Sequence, residues 1–252
     1  MTTRVYENSL RAERLCELIR SSPDVFSFSE VIILPIPTTR DGVSLNGDGA
    51  PLYDLVEDAD EGTLIVGYGL PDWFSMLASS LGAILIDCAE DEEFLLENAE
   101  LTATATLGII LESEKRVPRD IRFGIVGYGR IAKALLRDLL YHGSRVTVYT
   151  RRESVRLDLA EAGVGSEPFS IGANLSEIDI LINTAPQTPP FLSEIPNDVR
   201  VIEVASGNNF EARAVERYPS LPARSFPISA AGAWYKSVLR MLKVATGGGY
   251  GR

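Results

Sequence analysis

Short, continuously apolar runs alternate along the chain with segments whose apolar residues recur at helical spacing. The runs predict buried strands, and the segments between them predict amphipathic helices. Such an alternation is typical of an α/β protein with parallel sheets. The predicted strands cover residues 31–34, 63–66, 83–87, 121–126, 145–149, 178–182 and 199–204. The predicted helices cover residues 9–21, 73–81, 91–116, 131–140, 153–162 and 229–244, and one further helix ends at Tyr218.

The helix predicted over residues 91–116 is far longer than the others, and its acidic start suits the helix dipole. A helix of that length most simply joins two domains. We therefore expect a smaller, flavodoxin-like α/β domain over residues 1–98 and a Rossmann doubly wound parallel sheet over residues 99–245. The helix 229–244 is expected to pack on either domain, and the glycine-rich tail 246–252 is expected to be disordered.

The stretch from Gly124 to Ala132 joins a strand to a helix through the pattern G-x-G-x-x-A. Gly127 permits the tight bend, Gly129 leaves no side chain where a pyrophosphate must approach the backbone, and Ala132 lets the helix pack closely. The free N–H groups at the helix start form an anion site. The alternative is a tight turn without a ligand. The predicted dinucleotide contacts here are Gly127, Tyr128, Gly129, Arg130 and Ile131.

Thr150, Arg151 and Arg152 follow the next strand, where NAD-binding proteins carry a carboxylate for the ribose 2′-hydroxyl. Two guanidinium groups and a hydroxyl suit a 2′-phosphate instead, because they bind it through charge-assisted hydrogen bonds. NADP is therefore favoured over NAD as the cofactor. In the alternative interpretation the arginines are a solvated helix start, and Glu153 serves as the ribose acid.

A second loop leaves the carboxyl end of the strand predicted at residues 178–182. Because that edge of a Rossmann sheet faces the cofactor, this loop is expected to line the nicotinamide half. A strand that is simply ended by Asn and Pro is the alternative. The loop residues concerned are Asn183, Thr184, Ala185 and Pro186.

Charge and composition narrow the class of protein. A formal net charge of −11 disfavours nucleic acid or an anionic membrane as a partner. The sequence shows no signal-peptide pattern and no apolar run that approaches a membrane span, which predicts a cytoplasmic protein. The two cysteines, Cys16 and Cys88, stand far apart without a C-x-x-C pattern, which argues against a disulfide framework and a metal site.

The order and spacing of several segments, across about residues 31–245, resemble the A subunit of dipicolinate synthase and, more distantly, the cofactor domain of D-2-hydroxyacid dehydrogenases. The segments are Leu34–Pro37 with Asp41–Gly42, Glu97–Ala99 with Thr102–Ala103, the glycine turn, Thr150–Arg152, Asn183–Pro186, and Val204–Gly207 with Phe210–Glu211. The resemblance implies a two-domain NADP-dependent oxidoreductase acting on a small carboxylate, cyclic in that family, bound between the domains. It also implies a partner, a flavoprotein-like B subunit. We expect a homo-oligomer and substrate contacts at Thr38, Asp41, Asn98, Thr102 and Ser206.

Two departures bear on activity. Thr104 and Ala105 stand where the family pattern has Glu and Gly. The single histidine, His142, lies at the far end of the predicted helix, so a hydroxyacid dehydrogenase that uses the usual imidazole is excluded, and the residues identify no general acid or base. The alternative function is a non-catalytic nucleotide-binding regulatory or assembly protein that keeps the cofactor site. A third is an imine or ketone reductase that takes its proton from solvent or a tyrosine.

Overall fold

The computed structural model describes residues 1–57, 59–205 and 215–247. The chain divides into two compact units, one of Met1–Asn98 with Phe226–Arg252 and the other of Ala99–Ser225. Each unit contains one all-parallel sheet, so the expected α/β class is confirmed.

The strands and helices lie close to the predicted positions, with a few additions. The strands are β1 (Thr2–Val5), β2 (Glu30–Ile33), β3 (Thr63–Gly67), β4 (Ile84–Asp87), β5 (Arg122–Val126), β6 (Arg145–Thr150), β7 (Gly165–Pro168), β8 (Ile180–Asn183), β9 (Arg200–Glu203) and β10 (Glu216–Arg217). The α-helices are α1 (Leu10–Arg20), α2 (Leu52–Val56), α3 (Asp72–Ser80), α4 (Glu92–Ser113), α5 (Arg130–Tyr141), α6 (Glu153–Glu161) and α7 (Pro227–Ala245).

The sheet of the first unit has the order β1-β2-β3-β4. A flavodoxin-like sheet has the order 2-1-3-4-5, and removing its outer strand 2 leaves the order found here. The sequence pattern missed β1 because Thr2–Val5 is an edge strand without a fully buried residue and without an apolar run. The first unit is therefore a flavodoxin-like sheet with one strand fewer.

Helix α7 belongs to the first unit, where it packs against α1. Its Trp234 is fully buried, and the guanidinium carbon of Arg11 lies 5.1 Å from the centre of the Trp234 ring. Arg240 on the same helix forms a 2.7 Å ion pair with Asp91. The chain thus returns to the first unit after completing the second.

The sheet of the second unit has the order β10-β9-β8-β5-β6-β7, which is the Rossmann order 6-5-4-1-2-3 when β5 is counted as the first strand. The order reverses between β5 and β8, whose residues Phe123–Val126 and Ile180–Asn183 pair in register. In open α/β sheets ligands bind outside the carboxyl ends of the strands at such a reversal. The loops after β5, β6 and β8 therefore lie at the edge of the sheet where a ligand is expected to bind.

The prediction of a helix that ends at Tyr218 is wrong for its last residues. Glu216 and Arg217 instead form β10, which pairs in parallel with β9. The pairing is reinforced by Arg200 on β9, whose Nε lies 2.6 Å from the carboxylate of Glu216. Residues 206–214, which include the loop before the expected helix and the start of that helix, lie outside the described part of the chain, as do residues 248–252 of the expected tail.

The expectation that no apolar run approaches the length of a membrane span is wrong for helix α4. Among the described helices it alone passes that test of length and hydropathy, and 44% of its most apolar window is buried. A core helix passes the same test. Ala103, Leu107 and Ile110 of α4 pack in the core of the second unit, and this packing accounts for their apolar character.

Gly124 in the middle of β5 has no room for a side chain. A Cβ there would lie 2.6 Å from Leu181 Cδ1 and 3.1 Å from Tyr149 Cε2, and both neighbours are fully buried. Gly108 on the exposed side of α4 is different, because a Cβ added there meets nothing within 4 Å. The two glycines form a matched pair for a test of core packing.

Gly124→Ala is expected to lower the free energy of unfolding by about 1–3 kcal/mol, because the added methyl group overpacks the core. Gly108→Ala is expected to raise the free energy of unfolding by about 0.4–1 kcal/mol, because alanine reduces the conformational entropy of the unfolded chain and fits the helix without strain. Urea unfolding followed by circular dichroism measures both changes. Unchanged stability of Gly124→Ala would contradict the described packing of β5.

Candidate functional site

The glycine turn follows β5 directly. Gly127 has a φ of +97°, and its N–H donates a 2.9 Å hydrogen bond to the carbonyl of Tyr149 on β6. A Cβ on Gly127 would lie 3.0 Å from Thr184 Oγ1. Both the positive φ and this close approach require glycine at the position. The turn therefore packs tightly against the loop after β8.

Helix α5 begins at the turn with an open N-terminus. Gly129 is its N-cap residue and has no side chain with which to cap the helix. A Cβ on Gly129 would meet nothing within 4 Å, whereas Ala132 one turn later is buried. Uncapped N–H groups beside open space are the arrangement that binds phosphate at helix N-termini.

The end of β6 brings two arginines to the same place. The guanidinium group of Arg152 donates a 3.1 Å hydrogen bond to the carbonyl oxygen of Tyr128 in the turn. Arg151 is exposed, and its guanidinium group forms no hydrogen bond or ion pair with the described residues. Glu153 is the first residue of α6 and does not line the pocket described below. Glu153, the alternative candidate for binding the ribose hydroxyl, thus lies outside that lining.

The loop after β8 is held by its own polar side chains. Asn183 is fully buried, and its amide nitrogen donates to Ala185 O at 3.0 Å and to Glu203 Oε1 at 3.2 Å. Its amide oxygen accepts a 3.2 Å hydrogen bond from the N–H of Ala185. Thr184 Oγ1 donates to Val126 O at 2.8 Å. The Asn183 side chain therefore supports the loop from beneath.

These three loops surround a cavity of about 330 Å³, a size within the range of small-molecule sites. Its described lining residues are Gly127, Tyr128, Gly129, Tyr149, Thr150, Arg151, Arg152, Phe169, Thr184, Ala185, Pro186 and Gln187. Three of the residues predicted to contact a dinucleotide lie outside this lining. They are Arg130, which is exposed at the start of α5, Ile131, which is half-buried, and Asn183.

Tyr149, Phe169 and Gln187 line the cavity without having been predicted. Phe169 follows β7, a short edge strand of Gly165–Pro168 whose glycine and proline conceal it in the sequence. Tyr149 is buried, and its hydroxyl donates a 2.7 Å hydrogen bond to Asn174 O. Burial and the nearby charge of Glu167 raise the pKa of Tyr149 above its usual value. This phenol therefore stays protonated at neutral pH.

Two predicted substrate contacts lie in the loop after β2, and hydrogen bonds engage the side chains of both. Thr38 is fully buried; its hydroxyl donates to Pro35 O at 3.2 Å and accepts from Tyr68 N at 2.8 Å. Asp41 Oδ1 accepts bonds from the N–H groups of Ser44 and Val43, and these bonds hold the pKa of the Asp41 carboxyl well below its usual value. Both residues thus shape the loop after β2.

The remaining substrate candidates are spread along α4 and beyond. Asn98 is half-buried, and Thr102 is buried with its hydroxyl 3.4 Å from Leu221 O. Ser206 lies outside the described residues. His142 is the C-cap of α5, where the sequence pattern expected it. Because α5 runs back from the carboxyl edge of the sheet, His142 lies away from the cavity.

The strand order and the glycine turn define a Rossmann-type α/β unit, accompanied by a second parallel α/β unit, and this combination of folds is also that of NAD(P)-dependent dehydrogenases. No protein-family model and no curated protein sequence matches the chain. Comparison with solved structures supplies the likeness.

The chain is similar to the A subunit of dipicolinate synthase. The protein from Bacillus subtilis aligns with a TM-score of 0.72 at 18% identity, over 98% of this chain and 97% of that one. Its counterpart from Bacillus halodurans aligns with a TM-score of 0.66 at 20% identity, over 84% and 79%. D-lactate dehydrogenase from Escherichia coli aligns with a TM-score of 0.56 at 14% identity, over 98% of both chains. The resemblance to these two families is confirmed at the level of the fold.

Asn183→Ala is expected to lower the free energy of unfolding by about 1–3 kcal/mol, because buried Glu203 and the Ala185 backbone lose hydrogen-bond partners. Gln187→Ala is the matched control, since Gln187 lines the cavity but is exposed and forms no hydrogen bond with the described residues. Its stability should stay within about 0.5 kcal/mol of the wild type. Urea unfolding measures both; wild-type stability of Asn183→Ala would refute a supporting role.

Proposed function

We propose that this protein is an NADP-dependent oxidoreductase that resembles the A subunit of dipicolinate synthase and acts on a small carboxylate. One observation carries the proposal: Arg151 and Arg152 share a cavity with the glycine turn at the reversal of a Rossmann sheet. Dinucleotide-binding proteins of this fold place the adenine ribose at the corresponding strand end. A pair of guanidinium groups there favours a ribose that carries a 2′-phosphate.

The described residues fit such a cofactor. The open space at Gly129 and the uncapped start of α5 suit a diphosphate, which backbone N–H groups bind at helix N-termini. Arg151 offers an uncommitted guanidinium for the 2′-phosphate, and residues 184–186 offer a wall for the nicotinamide half. The cofactor, when bound, supplies or accepts a hydride. The protein's own part is to position the reactants and to exclude water.

The substrate and partners belong to the same proposal. The fold likeness to the A subunit of dipicolinate synthase supports a small carboxylate, cyclic in that family. The same likeness supports a partner in the form of a flavoprotein-like B subunit, and we propose that the chain forms homo-oligomers. Thr102 and Asn98 are the proposed substrate contacts on α4.

A non-catalytic nucleotide-binding protein is the second candidate. One observation favours it: none of the described residues that line the cavity is Asp, Glu, His, Cys or Lys. Proton transfer in dehydrogenases commonly uses such a group. A regulatory or assembly protein needs the cofactor site but no proton donor. Activity measurements separate the two candidates.

The wild-type protein is expected to bind NADPH more tightly than NADH, and Arg151→Glu is expected to reverse that order. The introduced carboxylate repels the 2′-phosphate and accepts hydrogen bonds from the ribose hydroxyls of NADH. Isothermal titration calorimetry with both dinucleotides measures the preference. Tighter binding of NADH by the wild type would contradict the NADP assignment, and an absence of binding would refute the cofactor site.

The enzyme hypothesis predicts consumption of NADPH, followed at its absorbance, with at least one member of a panel of cyclic imines and 2-oxo acids. Each substrate is tested with and without a flavoprotein-like B subunit. The control is Arg151→Glu at the same NADPH concentration, which should lose the activity through weakened cofactor binding. Tight NADPH binding without turnover across the panel would favour the regulatory alternative.

A further inference from the structure

The two arginines after β6 have different surroundings. Arg152 Nη2 lies 3.1 Å from Tyr128 O, whereas Arg151 makes no hydrogen bond or ion pair with the described residues. A third arginine of the segment, Arg156, is half-buried and donates to Thr150 O at 3.0 Å. Arg151 therefore has all its donors available, while Arg152 already holds part of the protein.

The bond from Arg152 reaches the peptide unit that starts the phosphate-binding helix. Tyr128 C=O and Gly129 N–H belong to one planar peptide unit, so fixing the oxygen fixes the orientation of the whole unit. Gly129 is the N-cap of α5, and Arg152 is the N-cap of α6. A single guanidinium group thus joins the beginnings of two helices that face the same cavity.

Neither N-cap residue caps its helix with its own side chain. The glycine turn also lacks side chains of its own at Gly127 and Gly129, so groups outside the turn must fix its backbone. On one side Thr184 packs against Gly127, where an added Cβ would lie 3.0 Å from Thr184 Oγ1. On the other side Arg152 holds Tyr128. The turn is held between these two contacts.

We propose that the two arginines divide the work, an inference that rests on the proposed cofactor. Arg151 reads the 2′-phosphate and determines the preference for NADPH over NADH. Arg152 is a positioning residue that orients the glycine turn, so it contributes to the binding of both dinucleotides through the diphosphate that they share.

Four variants test this division: Arg151→Ala, Arg152→Ala, Arg152→Lys and the control Arg145→Ala. Arg145 is an exposed arginine at the amino end of the same strand, β6, so its removal changes the net charge equally without touching the cavity. Calorimetric titration with NADPH and with NADH gives two dissociation constants for each variant. The quantity of interest is the ratio of the two.

Arg151→Ala is expected to weaken NADPH binding about 10- to 100-fold and to leave NADH binding within about twofold of the wild type. Arg152→Ala is expected to weaken both by a similar factor of about 3- to 10-fold, the worth of one hydrogen bond. Arg152→Lys retains a donor and should recover part of the affinity for both. Arg145→Ala should change neither.

A selective loss of NADPH binding in Arg152→Ala, with NADH unaffected, would overturn the division of roles. Wild-type affinities for both dinucleotides in that variant would also overturn it. Circular dichroism checks that each variant is folded before titration.

Hydrogen–deuterium exchange in the protein without dinucleotide separates this inference from the proposed function. The backbone amides of residues 127–133 should exchange faster in Arg152→Ala than in the wild type. Their exchange rates should be unchanged in Arg151→Ala, because of the two arginines only Arg152 contacts the turn. If exchange is faster in Arg152→Ala but the wild type binds no dinucleotide, the proposed function is refuted and the positioning role of Arg152 is retained. Unchanged exchange in Arg152→Ala would refute the positioning role, whatever the wild type binds.

Discussion

The close approach between Gly127 and Thr184 is the contact on which the site depends. The Rossmann sheet reverses between β5 and β8, so the loops that leave these strands start side by side and then diverge. Val126 O accepts hydrogen bonds from both the N–H and the hydroxyl of Thr184, at 3.0 and 2.8 Å. These bonds hold the two loops together at their base, and the cavity opens where the loops separate.

Charge distribution gives this cavity its chemical character. The whole chain is acidic, and residues 41–114 contain no Lys or Arg at all. Residues 130–156, by contrast, carry seven Lys and Arg against two acids. An anionic ligand is therefore attracted to this segment although the chain as a whole is acidic. Because exposed charges act over roughly one Debye length, about 8 Å in physiological salt, the arginines that line the cavity matter most.

The sequence predicted those parts of the second unit whose physics is local. The unit β5–turn–α5–β6 has a buried strand, a glycine turn and an amphipathic helix, each recognisable from a few neighbouring residues. The edge strands β1, β7 and β10 were missed because an edge strand is stabilised by its pairing partner rather than by an apolar run. Phe169 was missed with β7, and the role of Asn183 depends on Glu203, which is 20 residues away in the sequence.

The lining of the cavity also limits the chemistry that fits it. Reduction of a carbonyl delivers a hydride to carbon and a proton to oxygen, so the protein needs an acid near the substrate. The described lining offers no carboxylate, imidazole or ammonium group, and Tyr149 already commits its hydroxyl to Asn174, so the phenol of Tyr128 is the remaining acidic side chain of the lining. A protonated imine accepts a hydride without an accompanying proton. Under the proposed function, reduction of a ketone therefore needs a proton from Tyr128 or from solvent, whereas reduction of a protonated carbon–nitrogen double bond needs none.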